Sequence, residues 1–270
     1  MDKKTYLQYH PAACAALELE LRENAEQLVI SPEEPLNSKP NEIDILVIRK
    51  DEGAVIRSGL GEIFKRINIW EYKNPRDLLG ERIYYRTLGY AGLYLAYQAK
   101  DAAWEDVTLS FLREAKPVKL LRMFKEKGFF IDQRQPGIYH IRREGHMDMQ
   151  IVVTRELNKK EYRWITKLTR HIEREDVTDM QAAIRDLKDG RELLNAESVY
   201  DLMCRMNKNN PVIKEERTMG ETRELFREEF EMHERIEKEL REQLEQKNSQ
   251  LEQERKRVRE LEAQLAAVQG

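Results

Sequence analysis

The stretch INIWEYKNP, residues 67–75, reads as a β-strand with alternating sides that stops at a proline. Ile69, Glu71 and Lys73 share one face, and Trp70 and Tyr72 share the other. One face of a strand built for burial therefore carries a carboxylate and an ammonium two residues apart. Upstream, EIDILVIRK (residues 42–50) is a second strand of branched residues, in which Asp44 stands on the side of Leu46 and Ile48. An acid in an apolar strand costs several kcal/mol unless it is paired or holds a metal.

Working outward, a helix is expected from about Pro11 to Gln27, with Ala13, Leu17, Leu21 and Leu28 as its apolar stripe. LVISPEEPLNSKP follows as a short strand broken by prolines, and a glycine-containing connection, DEGAVIRSGLGEIF, joins the two strands above. RDLLGERIYYRTLGYAGLYLAYQ reads as a helix and DVTLSFLRE as a strand. The order helix, three strands, helix, strand predicts an α/β fold, a mixed sheet flanked by helices, over residues 1–116. Residues 117–210 continue as an α+β extension: a helix PVKLLRMFKEKG, strands GIYHIRR and DMQIVVTREL, and helices between Lys159 and about Asn207.

Pro211, after NKNN, marks a linker, and residues 211–270 read as that linker and a coiled-coil helix. With Phe226 at d and Phe230 at a, the heptad places Leu240, Leu244, Leu251, Val258, Leu261, Leu265 and Val268 in the seam. His233, Glu237, Lys247 and Glu254 interrupt it. A helix from Phe226 to Val268 would be about 65 Å long, too long and too polar to fold into a small core. Its simplest partner is a second copy, giving a homodimer through the coiled coil.

Charged residues make up 36% of the chain, but the net charge is only -3, so no strong basic field announces nucleic acid. From Lys214 to Gly270, 16 Glu face 12 Lys and Arg, so the slight acidity belongs to the tail. No signal-like segment opens the chain and no run approaches the roughly 20 apolar residues of a membrane span, so a cytoplasmic protein is expected. Cys14 and Cys204, lacking metal-ligand spacing, read as reduced, packed thiols. The five histidines are scattered, and GLGE lacks the lysine of a phosphate loop. Tyr139, Tyr162 and Trp164 interleave with Arg142, Arg143, Lys159, Lys160 and Arg163, either as a nucleic-acid clamp or as partly buried rims.

Glu71 and Lys73 admit two readings. In one, Lys73 forms a salt bridge with an acid at the sheet edge. In the other, Asp44 and Glu71 hold Mg²⁺ or Mn²⁺, which prefer carboxylate oxygen, while Lys73 orients a water or steadies a developing charge. Acid-x-Lys also occurs elsewhere, for example at Glu114/Lys116 and Asp186/Lys188, but only Glu71/Lys73 has a lone strand acid upstream. Glu20, three residues after Leu17, lies on the flank of the helix's buried stripe and reaches the same cation if that helix packs beside the strands.

ALELELRE, PNEIDILVI, GEIFKRINIWEYKNP and YYRTLGYAGLY together resemble the PD-(D/E)XK nuclease superfamily, and within it the bacterial recombination-promoting nuclease and transposase-related proteins. The resemblance covers roughly Tyr6 to Lys100. It implies a restriction-endonuclease-like core and metal-dependent hydrolysis of DNA phosphodiester bonds, linked to recombination or mobile elements. Asp44 matches the motif aspartate, Glu71 and Lys73 the (D/E)XK pair, and Glu20 the assisting helix acid. Ile43 stands where the motif has proline, and the following helix lacks a Gln-x-x-x-Tyr element, leaving Arg82, Arg86 and Tyr90 as candidates for touching phosphate or bases. The alternative is a non-catalytic scaffold that keeps the nuclease fold and works through its coiled coil.

Overall fold

The computed structural model describes residues 9–32, 45–75, 77–99 and 101–269. Within them, branched and aromatic runs form seven strands in one mixed sheet: β1 (Leu28–Pro32), β2 (Ile45–Lys50), β3 (Ile67–Lys73), β4 (Val107–Arg113), β5 (Phe130–Gln135), β6 (Ile138–Arg142) and β7 (Asp148–Val153). Their spatial order is β1-β2-β3-β4-β7-β6-β5. β3 runs antiparallel to β2 and parallel to β4, and β7 pairs parallel with β4. The parallel step from β3 to β4 is made by α2 (Glu81–Tyr97), as a parallel pair requires a crossover.

Helices cover both faces of the sheet. On one side α2 and α3 (Val118–Glu126) bring Tyr84, Tyr94, Leu120 and Phe124, with Leu79 from the turn before α2, onto Ile67, Ile69, Leu109 and Phe111. On the other, α1 (Tyr9–Glu20), α4 (Arg174–Arg185) and α5 (Gly190–Met206) enclose Ile48, Trp70, Leu112 and Val152. β3 is thus central, and its residues 67–71 are all buried. The alternation in INIWEYK separates two cores rather than a core from solvent.

α1 ends at Glu20, seven residues short of the expected Gln27, and a 3₁₀ turn covers Arg22–Gln27. The cause is Asn24, buried with non-helical backbone angles, whose amide donates to the Val55 carbonyl at 3.0 Å and accepts from the Arg57 N–H at 3.0 Å. β5 was not expected, because FIDQRQ is an edge strand without apolar alternation. Residues 159–173 hold only a short 3₁₀ turn (Ile165–Lys167) where helix was expected.

Pro211 opens a helix, α6 (Pro211–Met219), at a position where its missing N–H costs nothing, with the Asn210 side chain capping Val212 at 2.9 Å. Gly220, at φ 74°, ends α6 and leads into α7 (Glu221–Gln269). Ile213, Leu225 and Phe226 are buried in the same layer as α5, so the folded body runs past the expected linker. Beyond it, α7 carries Leu240, Leu244 and Leu251 at 48–60% exposure. Among the described residues no helix is long and apolar enough to cross a membrane.

Candidate functional site

Glu71 sits at the C-terminal end of β3 under α2 and is 1% exposed. Lys73, two residues on and 12% exposed on its side chain, pairs with Glu71 Oε1. Arg86, from the second turn of α2, donates from Nη2 to the same oxygen at 2.7 Å and lies over the Tyr90 ring at 5.8 Å. Oε2 is buried and has no hydrogen-bond partner among the described residues. Leaving such an oxygen unsatisfied costs about 1–3 kcal/mol, more for a charged group.

Parallel register sets Arg113 of β4 beside Lys73, on the face shared by Phe111 and Glu71. Its Nε is shielded from solvent and lacks a partner among the described residues. Two cations, Lys73 and Arg86, therefore meet the Glu71 carboxylate, and Arg113 stands beside Lys73 on the same face. Arg113 is invisible to motif spacing, because its place next to Lys73 depends on the pairing of two strands 40 residues apart. The clue in the sequence is the basic residue two positions after Phe111 in VTLSFLR.

Asp44 lies outside the described residues; Ile45, which follows it, is paired with Glu71 across β2 and β3. Among the described residues no group of three or more His, Cys, Asp or Glu is placed to hold a metal ion. Arg82 is exposed in the first turn of α2, one turn before Arg86. The three candidates Arg82, Arg86 and Tyr90 share that helix, but only Arg86 touches the Glu71 carboxylate.

Glu20 is not brought to Glu71. α1 packs against the face of the sheet that carries Trp70, whereas Glu71 points to the α2 side. Glu20 Oε1 instead accepts the backbone N–H groups of Trp164 and Ile165, at 2.7 and 2.9 Å. Burial pushes this carboxyl up to about 7, against the lowering effect of those two N–H groups, although part of the side chain reaches the surface. A raised carboxyl pKa gives stability that is full below the unfolded value and lost as pH rises through the folded one. Glu20→Gln, which keeps the accepting oxygen without the charge, should stabilise the protein by about 1–3 kcal/mol at pH 8 and change little at pH 4. Urea unfolding at the two pH values measures this; an equal effect at both would show that the charge is not what costs stability.

The other sequence candidates are structural. Glu114 is buried and accepts from the Arg170 N–H at 3.1 Å, while Lys116 donates to Tyr139 Oη at 2.6 Å. Tyr139, Tyr162 and Trp164 are all under 5% exposed, which removes them as stacking platforms for bases. Cys14 and Cys204 are buried and form no disulfide. Compared with family models, with curated proteins and with solved structures, the chain matches none.

Proposed function

We propose that this protein is a divalent-cation-dependent nuclease that hydrolyses DNA phosphodiester bonds on a restriction-endonuclease-like core. The observation that carries this reading is the division of labour at Glu71: Lys73 and Arg86 take Oε1, and Oε2 is left buried and unpartnered. A plain salt bridge accounts for the first oxygen and leaves the second without purpose. The order α1-β1-β2-β3-α2-β4, with β3 antiparallel to β2 and parallel to β4, agrees with the core that the motif resemblance implies.

Glu71 Oε2 and Asp44 are the groups that would hold Mg²⁺ or Mn²⁺. When bound, such a cation neutralises phosphate charge and eases deprotonation of water at neutral pH. Lys73 is held at the strand end by Glu71, so its ammonium is fixed in direction before substrate arrives. Arg86, 43% exposed on its side chain, presents the rest of its guanidinium to the surface and would meet a phosphate there.

Supercoiled plasmid is the test substrate. The wild type should nick it with Mg²⁺ and leave it intact in EDTA, and Asp44→Ala and Lys73→Ala proteins of verified fold should leave it intact throughout. Equal cleavage by all three would assign the activity to another site or a contaminant. An inert wild type would favour the scaffold reading, whose own support is the exposed leucine row on α7.

That row also supports pairing of two copies through α7, which suits cutting both strands of a duplex. Light scattering at micromolar concentration should give the mass of a dimer, and Leu240→Lys with Leu244→Lys should halve it. A monomeric wild type would sink the pairing.

A further inference from the structure

Among the described residues, more than one cation meets the Glu71 carboxylate. Lys73 and Arg86 share one of its oxygens, and Arg113 stands beside Lys73 in the parallel register. Arg113 differs from the other two in having no hydrogen bond or ion pair among the described residues, with its Nε shielded from water. Elsewhere among the described residues Arg66 pairs with Asp101, Arg134 with Glu62 and Arg163 with Asp186. An unpaired guanidinium is tolerable in open water, but this one is half-buried at the end of a central strand, between β3 and β7. Guanidinium groups keep their charge and present parallel N–H donors that match the paired oxygens of a phosphate.

We infer that Arg113 is the phosphate-anchoring residue of this site. It takes the non-bridging oxygens of a nucleic-acid phosphate beside Glu71, and Arg86 closes on the same group from α2. The inference rests on the nuclease reading for its substrate class, but binding alone tests it. Arg113 sits on a sheet strand and Arg86 on a helix, so a phosphate held by both is fixed relative to β3 from two directions. Because Arg86 already touches Glu71, its grip is shared between protein and substrate. Arg113 has no such competitor, and it should carry the larger share of affinity.

The test uses the full-length protein and a fluorescein-labelled DNA duplex, with single-stranded DNA and RNA as further arms, read by anisotropy in EDTA from about 50 to 200 mM salt. Arg113→Gln should weaken binding about tenfold and lower the slope of log affinity against log salt by about one. Arg86→Gln should do so to a smaller degree, and Arg185→Gln, on α4 in the opposite layer, should match the wild type. The strand type bound most tightly by the wild type identifies the source of the phosphate. Wild-type affinity and slope in Arg113→Gln would overturn the inference, and so would a wild type that binds none of the three probes. An Arg113→Gln protein that binds normally but melts at lower temperature would assign Arg113 to a structural pairing and overturn it as well. The two readings separate cleanly: binding lost on Arg113→Gln with no Mg²⁺-dependent cleavage by the wild type sustains the anchor and defeats the nuclease. Cleavage by the wild type with binding unchanged in Arg113→Gln does the reverse.

Discussion

Lys167→Met should lower the stability of the protein by about 3–5 kcal/mol, the usual result of removing one member of a buried ion pair. The Lys167 and Asp176 side chains are 0% and 1% exposed and lie 2.9 Å apart. Burial alone would raise the Asp176 carboxyl, but the Glu173 N–H, Lys167 and Lys159 together hold it below the usual aspartate range. Lys159 is 44% exposed and bonds only the second oxygen, so it cannot take over the first without leaving water. Methionine keeps most of the volume of lysine, which confines the loss to charge and hydrogen bonding. The urea midpoint at pH 7 measures the loss, and a change under about 1 kcal/mol would mean that Lys159 and the backbone suffice. Asp176 is a depressed carboxylate, whose stabilising effect exists above its unfolded pKa and vanishes as pH falls through the folded one. The gap between wild type and variant should therefore shrink on acidification below the ordinary aspartate range.

At Glu71 two substitutions separate architecture from chemistry. Glu71→Ala strands Lys73, 12% exposed on its side chain, beside Arg113, and should cost about 2–4 kcal/mol in stability, with Arg86 free to turn toward solvent. Glu71→Gln keeps an acceptor for Lys73 and Arg86 and should cost less than half as much. On the nuclease reading both should lose at least about 10³-fold in Mg²⁺-dependent cleavage, because an amide is a poor ligand for a hard cation. Thermal unfolding and plasmid nicking on the same preparations give the two numbers. Cleavage that survives in Glu71→Gln at a tenth of the wild-type rate or better would strip Glu71 of its role as a metal ligand, and leave it a structural acid.

Much of the first half of the sheet was legible because alternation and branching are local. β2, β3 and β4 fall where their sequences predict, and Glu71 with Lys73 does share a face. Sequence could not say which face of the sheet a helix covers. Glu20 lies on the flank of the α1 stripe as read, yet α1 packs on the Trp70 side, so its carboxylate meets the N–H groups of Trp164 and Ile165. Aromatic residues among basic ones at 139–164 look like a contact surface until their burial is known. Pro211 illustrates the double meaning of proline, which begins a helix as readily as it marks a break. Lys167 and Asp176 are nine residues apart in a segment without periodicity, so their pairing leaves no trace in the sequence.

Because β3 separates two cores, substitution tolerance along it will be low for reasons unrelated to catalysis. Ile67, Asn68, Ile69 and Trp70 are each no more than 2% exposed. A saturation screen scored by survival of function would flag the whole strand and bury Glu71 in that signal. Scored against a parallel readout of soluble abundance, the same screen would leave only those positions where abundance holds and function drops. On this strand, Lys73, which is only partly buried, is able to give that signature.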